Sequence, residues 1–250
     1  MRELIERLAQ DILNSKWTIA LTGAGISVES GIPDFRSPGG LWSRFDPMEY
    51  AHIDSFRRNP RKVWEMLKEV FKLISSARPN PAHYALAELE SMRLLQAVIT
   101  QNVDGLHQKA GSKVVIEYHG NHDWLVCLEC GWRRSAQDLK EEEMPPTCKV
   151  CGFILKPSVV FFGEPIPWEA QIRALEEARR CELMLVIGTS AVVYPAADLP
   201  RIVKSKGARV VEINLEPTVL TGVISDYLIE GKAGEVLPKI LEEVKRRRDG

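Results

Sequence analysis

The stretch Leu94-Leu95-Gln96-Ala97-Val98-Ile99-Thr100-Gln101-Asn102-Val103-Asp104-Gly105-Leu106-His107 decides the fold. Its first half is apolar, and its second half turns abruptly to a hydroxyl, two amides and a carboxylate before Gly105. A buried strand that ends this way presents polar groups at the carboxyl edge of a sheet, where open α/β proteins bind ligands. The stretch therefore reads as a strand followed by a site.

Four other apolar runs end in the same manner. Residues 17–21 close on Gly23-Ala24-Gly25, 114–118 on His119-Gly120, 183–188 on Thr189-Ser190, and 209–214 on Leu215-Glu216. Helical patterns lie between them: 1–14 with Leu4, Ile5, Leu8 and Ile12 on one face, 80–92 opening on Asn80 as cap and Pro81 at the first helical position, then 167–180 and 194–206. This alternation predicts an α/β fold, a doubly wound parallel sheet covered on both faces. Two stretches break the rhythm and read as insertions forming a smaller lobe. One, 39–77, carries aromatic and charged residues at helical spacing; the other, 121–155, carries four paired cysteines.

With 250 residues, 45% of them hydrophobic, and a net charge of −1, the chain can bury a large core and has no bulk attraction to nucleic acid or membrane. Its longest apolar runs fall far short of the roughly 20 residues a membrane helix needs, and residues 1–9 are amphipathic and charged, unlike a signal peptide. A cytoplasmic location is expected. The basic stretch 245–248 ends a helical pattern and reads as a solvated helix end.

Cys127-x-x-Cys130 and Cys148-x-x-Cys151, with 17 residues between the pairs, have the spacing of two knuckles converging on one tetrahedral Zn²⁺. Gly131 and Gly152 each follow a pair, where a backbone free of Cβ can turn amides toward sulfur. Four thiolates leave no open coordination position, so the metal is expected to be structural. A redox Cys-x-x-Cys is the competing reading. His122 is surplus to that ligand set, and Cys181 reads as a small inert core residue.

Gly23-Ala24-Gly25 after a strand suggests a phosphate turn, but Val28 stands where the third glycine of a dinucleotide fingerprint belongs, and a plain tight turn explains it as well. The continuation to Ser27 and on through Gly31-Ile32-Pro33-Asp34-Phe35-Arg36 offers open amides, an aromatic ring and a guanidinium. Hydroxyls and amides at Thr189, Ser190 and Asn214 suit ribose and adenine, although helix N-caps would explain Ser190 and Asn214 one at a time. His119, at the same edge, is a candidate general base. His52, His83 and His107 read as packing or surface residues.

With these residues in view the chain resembles the sirtuins, NAD-dependent protein lysine deacylases, from about residue 5 to 244. The resemblance rests on Gly23-Ala24-Gly25-Ile26-Ser27, Gly31-Ile32-Pro33-Asp34-Phe35-Arg36, the stretch from Thr100 to His107, His119-Gly120, the four cysteines, Phe162-Gly163-Glu164-Pro165, Gly188-Thr189-Ser190, Val192-Val193-Tyr194-Pro195 and Asn214-Leu215-Glu216-Pro217. It implies a Rossmann-like NAD-binding domain of residues 1–38, 80–120 and 156–250. The small lobe would be a helical module of residues 39–79 and a zinc ribbon of residues 121–155. By resemblance, Gly23, Ala24, Gly25 and Ser27 touch the phosphates and nearby ribose, and Pro33, Asp34, Phe35 and Arg36 form a mobile cofactor loop. Gln101, Asn102, Val103 and Asp104 take the nicotinamide side, with Asp104 on the carboxamide, and Gly188, Thr189, Ser190, Asn214, Leu215, Glu216 and Ala233 take the adenosine half. Val160, Phe162 and Val193 would line an acyl-lysine tunnel, and the target backbone would add as a strand between Gly163-Glu164 and Val192-Val193.

The implied reaction consumes NAD: the acyl oxygen attacks the nicotinamide ribose, nicotinamide leaves, and His119, with Asn102 beside it as the second catalytic residue, promotes transfer of the acyl group to yield lysine and O-acetyl-ADP-ribose. Where relatives that prefer acidic acyl groups carry a Tyr-x-x-Arg pair, this chain has Leu67 and Val70, so acetyl or apolar acyl groups are expected over succinyl. Partners implied are acetyl-lysine-bearing proteins or peptides, with no membrane or direct nucleic-acid binding, and the chain is expected to be a monomer. A protein ADP-ribosyltransferase using the same NAD bond stays open. So does a binding module using Arg133, Arg134 and Lys149, although Glu129 and Glu141 to Glu143 dilute that charge. The missing third glycine and the all-cysteine site disfavour a dehydrogenase.

Overall fold

Every residue of the first strand, β1 (Thr18–Thr22), is buried, as a strand covered on both faces requires. The structure, a computed structural model, describes residues 1–137 and 139–249. In chain order the other strands are β2 (Ala97–Thr100), β3 (Val115–Glu117), β4 (Gly120–Val126), β5 (Arg133–Ser135), β6 (Lys156–Val159), β7 (Leu183–Ile187), β8 (Arg209–Asn214) and β9 (Tyr227–Glu230). The helices are α1 (Arg2–Asn14), α2 (Pro47–Tyr50), α3 (Ile53–Arg58), α4 (Pro60–Ser76), α5 (Pro81–Ser91), α6 (Leu106–Ala110), α7 (Trp168–Arg180), α8 (Leu199–Ser205) and α9 (Ala233–Asp249).

Six strands form a wholly parallel sheet in the order β3-β2-β1-β7-β8-β9, the order of doubly wound dinucleotide-binding folds. Alternate side chains divide its two faces. Ala20, Val98 and Leu185 pack under α1, α5 and α9, whereas Ile19, Leu21, Ile99 and Met184 pack under α7 and α8. Asn80 caps α5 with Pro81 at its first position. The 194–206 pattern yields a shorter helix, because the chain first makes a 3-10 turn over Ala196–Asp198 and Pro200 sits in the first turn of α8. Strand β9 escapes the sequence pattern: it is a four-residue edge strand with only Ile229 buried.

The remaining three strands form an antiparallel sheet, β5-β4-β6, whose core is shared with α3 and α4. Trp64, fully buried on α4, donates its indole N–H to the Leu155 carbonyl at 2.9 Å, so the two insertions pack as one lobe. Asn59 caps α4, accepting from the Lys62 amide. By strand pairing β6 belongs with this lobe, although the sequence reading put residues from 156 onward in the main domain. Among the described residues no helix is long and apolar enough to cross a membrane.

Candidate active site

Strand order reverses beside β1, which lies between β2 and β7, and in open α/β sheets this switch point at the carboxyl ends is where the ligand crevice lies. The two loops that flank it touch backbone to backbone. Gly23 donates its N–H to the Ile187 carbonyl at 3.0 Å and Gly25 to Gly188 at 2.8 Å. A Cβ on Gly25 would lie 2.7 Å from the Gly188 Cα, and one on Gly188, at φ 58°, only 2.5 Å from the Ile26 amide nitrogen. These glycines therefore serve close loop contact, and the amides of Gly23 and Gly25 are committed inside the protein.

Ser27, Asn102 and Asp104 meet on the floor of this crevice, all buried. The Ser27 hydroxyl donates to Asp104 Oδ2 at 2.7 Å, and Asn102 Nδ2 donates to Ser27 Oγ and to the Gly23 carbonyl, both at 3.1 Å. Asp104 Oδ1 accepts the Leu106 amide at 2.9 Å. Gln101 bridges to the next loop, its Nε2 3.0 Å from Thr189 Oγ1. The glycine turn, the strand end after β2 and the hydroxyl after β7 thus form one connected network.

His119 leaves β3 with its Nδ1 3.1 Å from the Gln101 carbonyl. A carbonyl only accepts, so Nδ1 carries the hydrogen and Nε2 of the neutral ring keeps its lone pair. Burial lowers the pKa of His119, opposed by the Gln101 carbonyl. The imidazole is therefore in its basic form at neutral pH, one residue removed from Asn102 through a backbone contact.

The four cysteine sulfurs lie within 4.8 Å of one another, with Cys127 to Cys151 at 3.4 Å, Cys130 to Cys148 at 3.5 Å and Cys130 to Cys151 at 3.7 Å. Tetrahedral Zn–S bonds of about 2.3 Å set sulfurs about 3.8 Å apart, so the set fits one zinc ion. The knuckles repeat each other: Gly131 and Gly152, both at positive φ, donate to the carbonyls of Cys127 and Cys148. Amides that reach sulfur come from neighbouring residues: Val150 donates to Cys148 Sγ at 3.4 Å, and Trp132 and Phe153 serve Cys130 and Cys151. All four cysteines are free of disulfides, and it is the convergence of both pairs on one point that fits a shared metal.

The model of the Sir2 family matches residues 23–195. The chain belongs to the Sir2 family. A Pyrobaculum aerophilum protein named NAD-dependent protein deacylase 2 is 53% identical over 240 residues, 96% of each chain. One of the same name from Archaeoglobus fulgidus is 51% identical over 253 residues, 99% of each. Among solved structures, a Sir2 homologue in complex with NAD superposes with a TM-score of 0.91 at 44% identity, covering 97% of this chain and 94% of that one. Another, bound to a myristoylated histone peptide, gives 0.86 at 44% identity, covering 100% and 99%.

In this Sir2 chain the remaining candidates fall along the same edge. Val160 donates its N–H to the His119 carbonyl at 2.8 Å, and Phe162 pairs with residues 51–53 through the Ala51 carbonyl and the Ile53 amide. Gly163, at φ 83°, packs against His52, whose Nε2 a Cβ would approach to 2.8 Å. Across the groove, Val192 is exposed and Val193 half-buried. Pro33 and Asp34 are half-buried and Phe35 and Arg36 exposed; Asp34 accepts the Arg36 and Ser37 amides, and the Phe35 ring joins Phe162 through Trp42 at centroid distances of 5.0 and 6.4 Å. Ser190, Leu215 and Glu216 are exposed, and neither Ser190 nor Asn214 caps a helix: the Asn214 side chain instead donates to the Glu216 carbonyl. Ala233 is buried at the start of α9.

His83 and His107 are packing residues, as read, and His122 is surplus to the metal ligands, as read; all three find partners beside residues of the site. His107 and His83 are fully buried with ring centroids 4.9 Å apart, and His107 Nε2 lies 3.0 Å from Thr22 Oγ1 directly before the glycine turn. His122 bonds the Val103 carbonyl through Nδ1 and meets the Phe71 ring edge-on. Nothing in their local sequence signals this, because their partners lie in other elements.

Proposed function

We propose that this chain is an NAD-dependent protein lysine deacetylase that releases nicotinamide and O-acetyl-ADP-ribose. The orientation of His119 carries the reading. An imidazole whose Nδ1–H is fixed on a carbonyl keeps its Nε2 lone pair, as a base acting on a ribose hydroxyl must. The donor set suits a dinucleotide: neutral amides and hydroxyls from Gln101, Asn102, Thr189, Ser190 and Asn214 line the edge across the switch point of the sheet. NAD bound there supplies an electrophilic ribose carbon and the hydroxyl that accepts the acyl group. Asn102 and Asp104 orient its nicotinamide end, Asp104 through lone pairs left over from Ser27 and Leu106. Gly23, Ala24, Gly25 and Ser27, with Pro33, Asp34, Phe35 and Arg36, enclose its phosphates, and Val103, Gly188, Leu215, Glu216 and Ala233 complete its walls. The zinc ion, held by Cys127, Cys130, Cys148 and Cys151, is structural.

Val160, Phe162 and Val193 shape an apolar tunnel for the acyl-lysine, with Gly163, Glu164 and Val192 offering backbone to the peptide. Leu67 is buried in the small-lobe core and Val70 packs against it, so neither gives a carboxylate on the acyl group a partner. Acetyl and longer apolar acyl groups are therefore favoured over succinyl. Paired cysteines kept as thiols suit the cytoplasm, and we infer a monomer there. The test is incubation with an acetyl-lysine peptide with and without NAD, following nicotinamide and product masses. O-acetyl-ADP-ribose with free lysine supports the reading; an ADP-ribosylated peptide instead would replace it with transferase activity.

A further inference from the structure

Lys156 opens β6 with only 3% of its side chain exposed. A cation so sealed from water must be completely hydrogen-bonded. Its three N–H bonds meet three acceptors: the Val159 carbonyl at 2.6 Å, Glu164 Oε2 at 2.8 Å and the Pro157 carbonyl at 3.2 Å. The Phe161 ring centroid lies 4.3 Å from the same nitrogen. Desolvation lowers the Lys156 pKa, and Glu164 opposes that shift.

The same contacts shape the segment that follows. Glu164 Oε2 also accepts the Phe161 amide at 2.8 Å, and the Glu164 amide returns to the Phe161 carbonyl at 3.0 Å. Residues 159–164 are thus fixed at three places: at Val160 by His119, at Phe162 by residues 51–53, and at the Val159 and Glu164 ends by one ammonium. Gly163, exposed between them, enters none of these bonds.

We propose that Lys156 is a positioning residue for substrate: its ammonium holds the bend of residues 159–164 that leaves the Gly163 backbone and the Glu164 carbonyl to pair with the incoming peptide. This rests on the deacetylase reading above. Without the ammonium the Glu164 carboxylate, one-fifth exposed, turns to water and releases the far end of the segment. His119 and the cofactor edge keep their own anchors, so the loss falls on peptide affinity.

The experiment compares wild type, Lys156→Met and Lys156→Arg by separate KM values for an acetyl-lysine peptide and for NAD, together with kcat. Lys156→Met should raise the peptide KM about tenfold, the size of one charge-assisted hydrogen bond, with NAD KM and kcat within about twofold, and Lys156→Arg should recover most of the loss. An unchanged peptide KM in a folded Lys156→Met protein overturns the proposal, as does an equal fall of all three parameters. Should that variant not fold, Glu164→Gln decides by the same split, since it keeps the backbone that pairs with peptide and removes only the negative charge that faces the ammonium. A wild-type protein that consumes no NAD with the peptide refutes the deacetylase reading and this proposal with it; an active wild type with an unmoved split refutes this proposal alone.

Discussion

Acidifying the protein from pH 7 to pH 5 should lower its stability by about 4 kcal/mol through two histidines alone. Burial pushes His83 down to about 4, partly offset by Asp104, and His107 down to about 3, with His83 adding to the shift. In the unfolded chain both titrate near 6.5. Below that value the unfolded chain binds protons the folded one does not, so stability falls as pH falls, until the folded pKa values are reached. At about 1.4 kcal/mol per pH unit per histidine, the interval from 6.5 to 5 is worth about 2 kcal/mol each. The structural cause is explicit: His83 Nδ1 faces the Asn80 N–H, a donor, and His107 Nδ1 is buried without a hydrogen-bond partner, so a second ring proton would have no acceptor on either. Urea unfolding of wild type and His107→Phe at both pH values measures the effect. Wild type should lose about twice the stability contributed by one histidine, and the variant about half as much. Identical pH dependence in the two proteins would refute the reasoning.

Other expectations concern the site directly. His119→Ala should still bind NAD, by calorimetry, yet lose deacetylation by at least about 100-fold, and turnover near the wild-type rate would remove the histidine from the chemistry. The acid limb of kcat/KM should lie below pH 6.5, because desolvation lowers the His119 pKa and the neutral ring survives into more acidic solution; a limb above the ordinary histidine value contradicts this. Chelation of the metal should loosen the small lobe, seen as a change in Trp64 fluorescence and lost activity, and an unaltered spectrum after complete zinc removal would deny the cysteines a structural role. On matched peptides acetyl-lysine should be turned over faster than succinyl-lysine, with the reverse order counting against the apolar reading of Leu67 and Val70.

The parallel sheet was legible because every one of its central strands is an apolar run that ends in polar residues at one edge, and the cysteine spacing announced its knuckles for the same reason that metal geometry is strict. Strand β9 was not, since Tyr227-Leu228-Ile229-Glu230 buries a single residue and carries no run to detect. The glycine turn was located correctly but explained only in part: its fit against Gly188 is a contact between residues far apart in the chain, which no local pattern encodes. Lys156 carries no local signal, and the buried histidine pair reads only as packing or surface, for a related reason. A lysine or histidine in sequence reads as surface until the acceptors that enclose it are known, and those come from Glu164, from Thr22 and from turns of backbone.

The indole of Trp64 and the carbonyl of Leu155 stand 91 positions apart in the chain. At a synthesis rate of about 5–20 residues per second, the helical half of the small lobe waits on the order of ten seconds for its partner to leave the ribosome. Until β4 to β6 have followed, Phe56, Trp64 and Leu67 have no complete sheet to cover them. The nascent polypeptide is thus open to chaperone capture or misassociation midway through its own production, until the last cysteine knuckle and the strand after it have emerged.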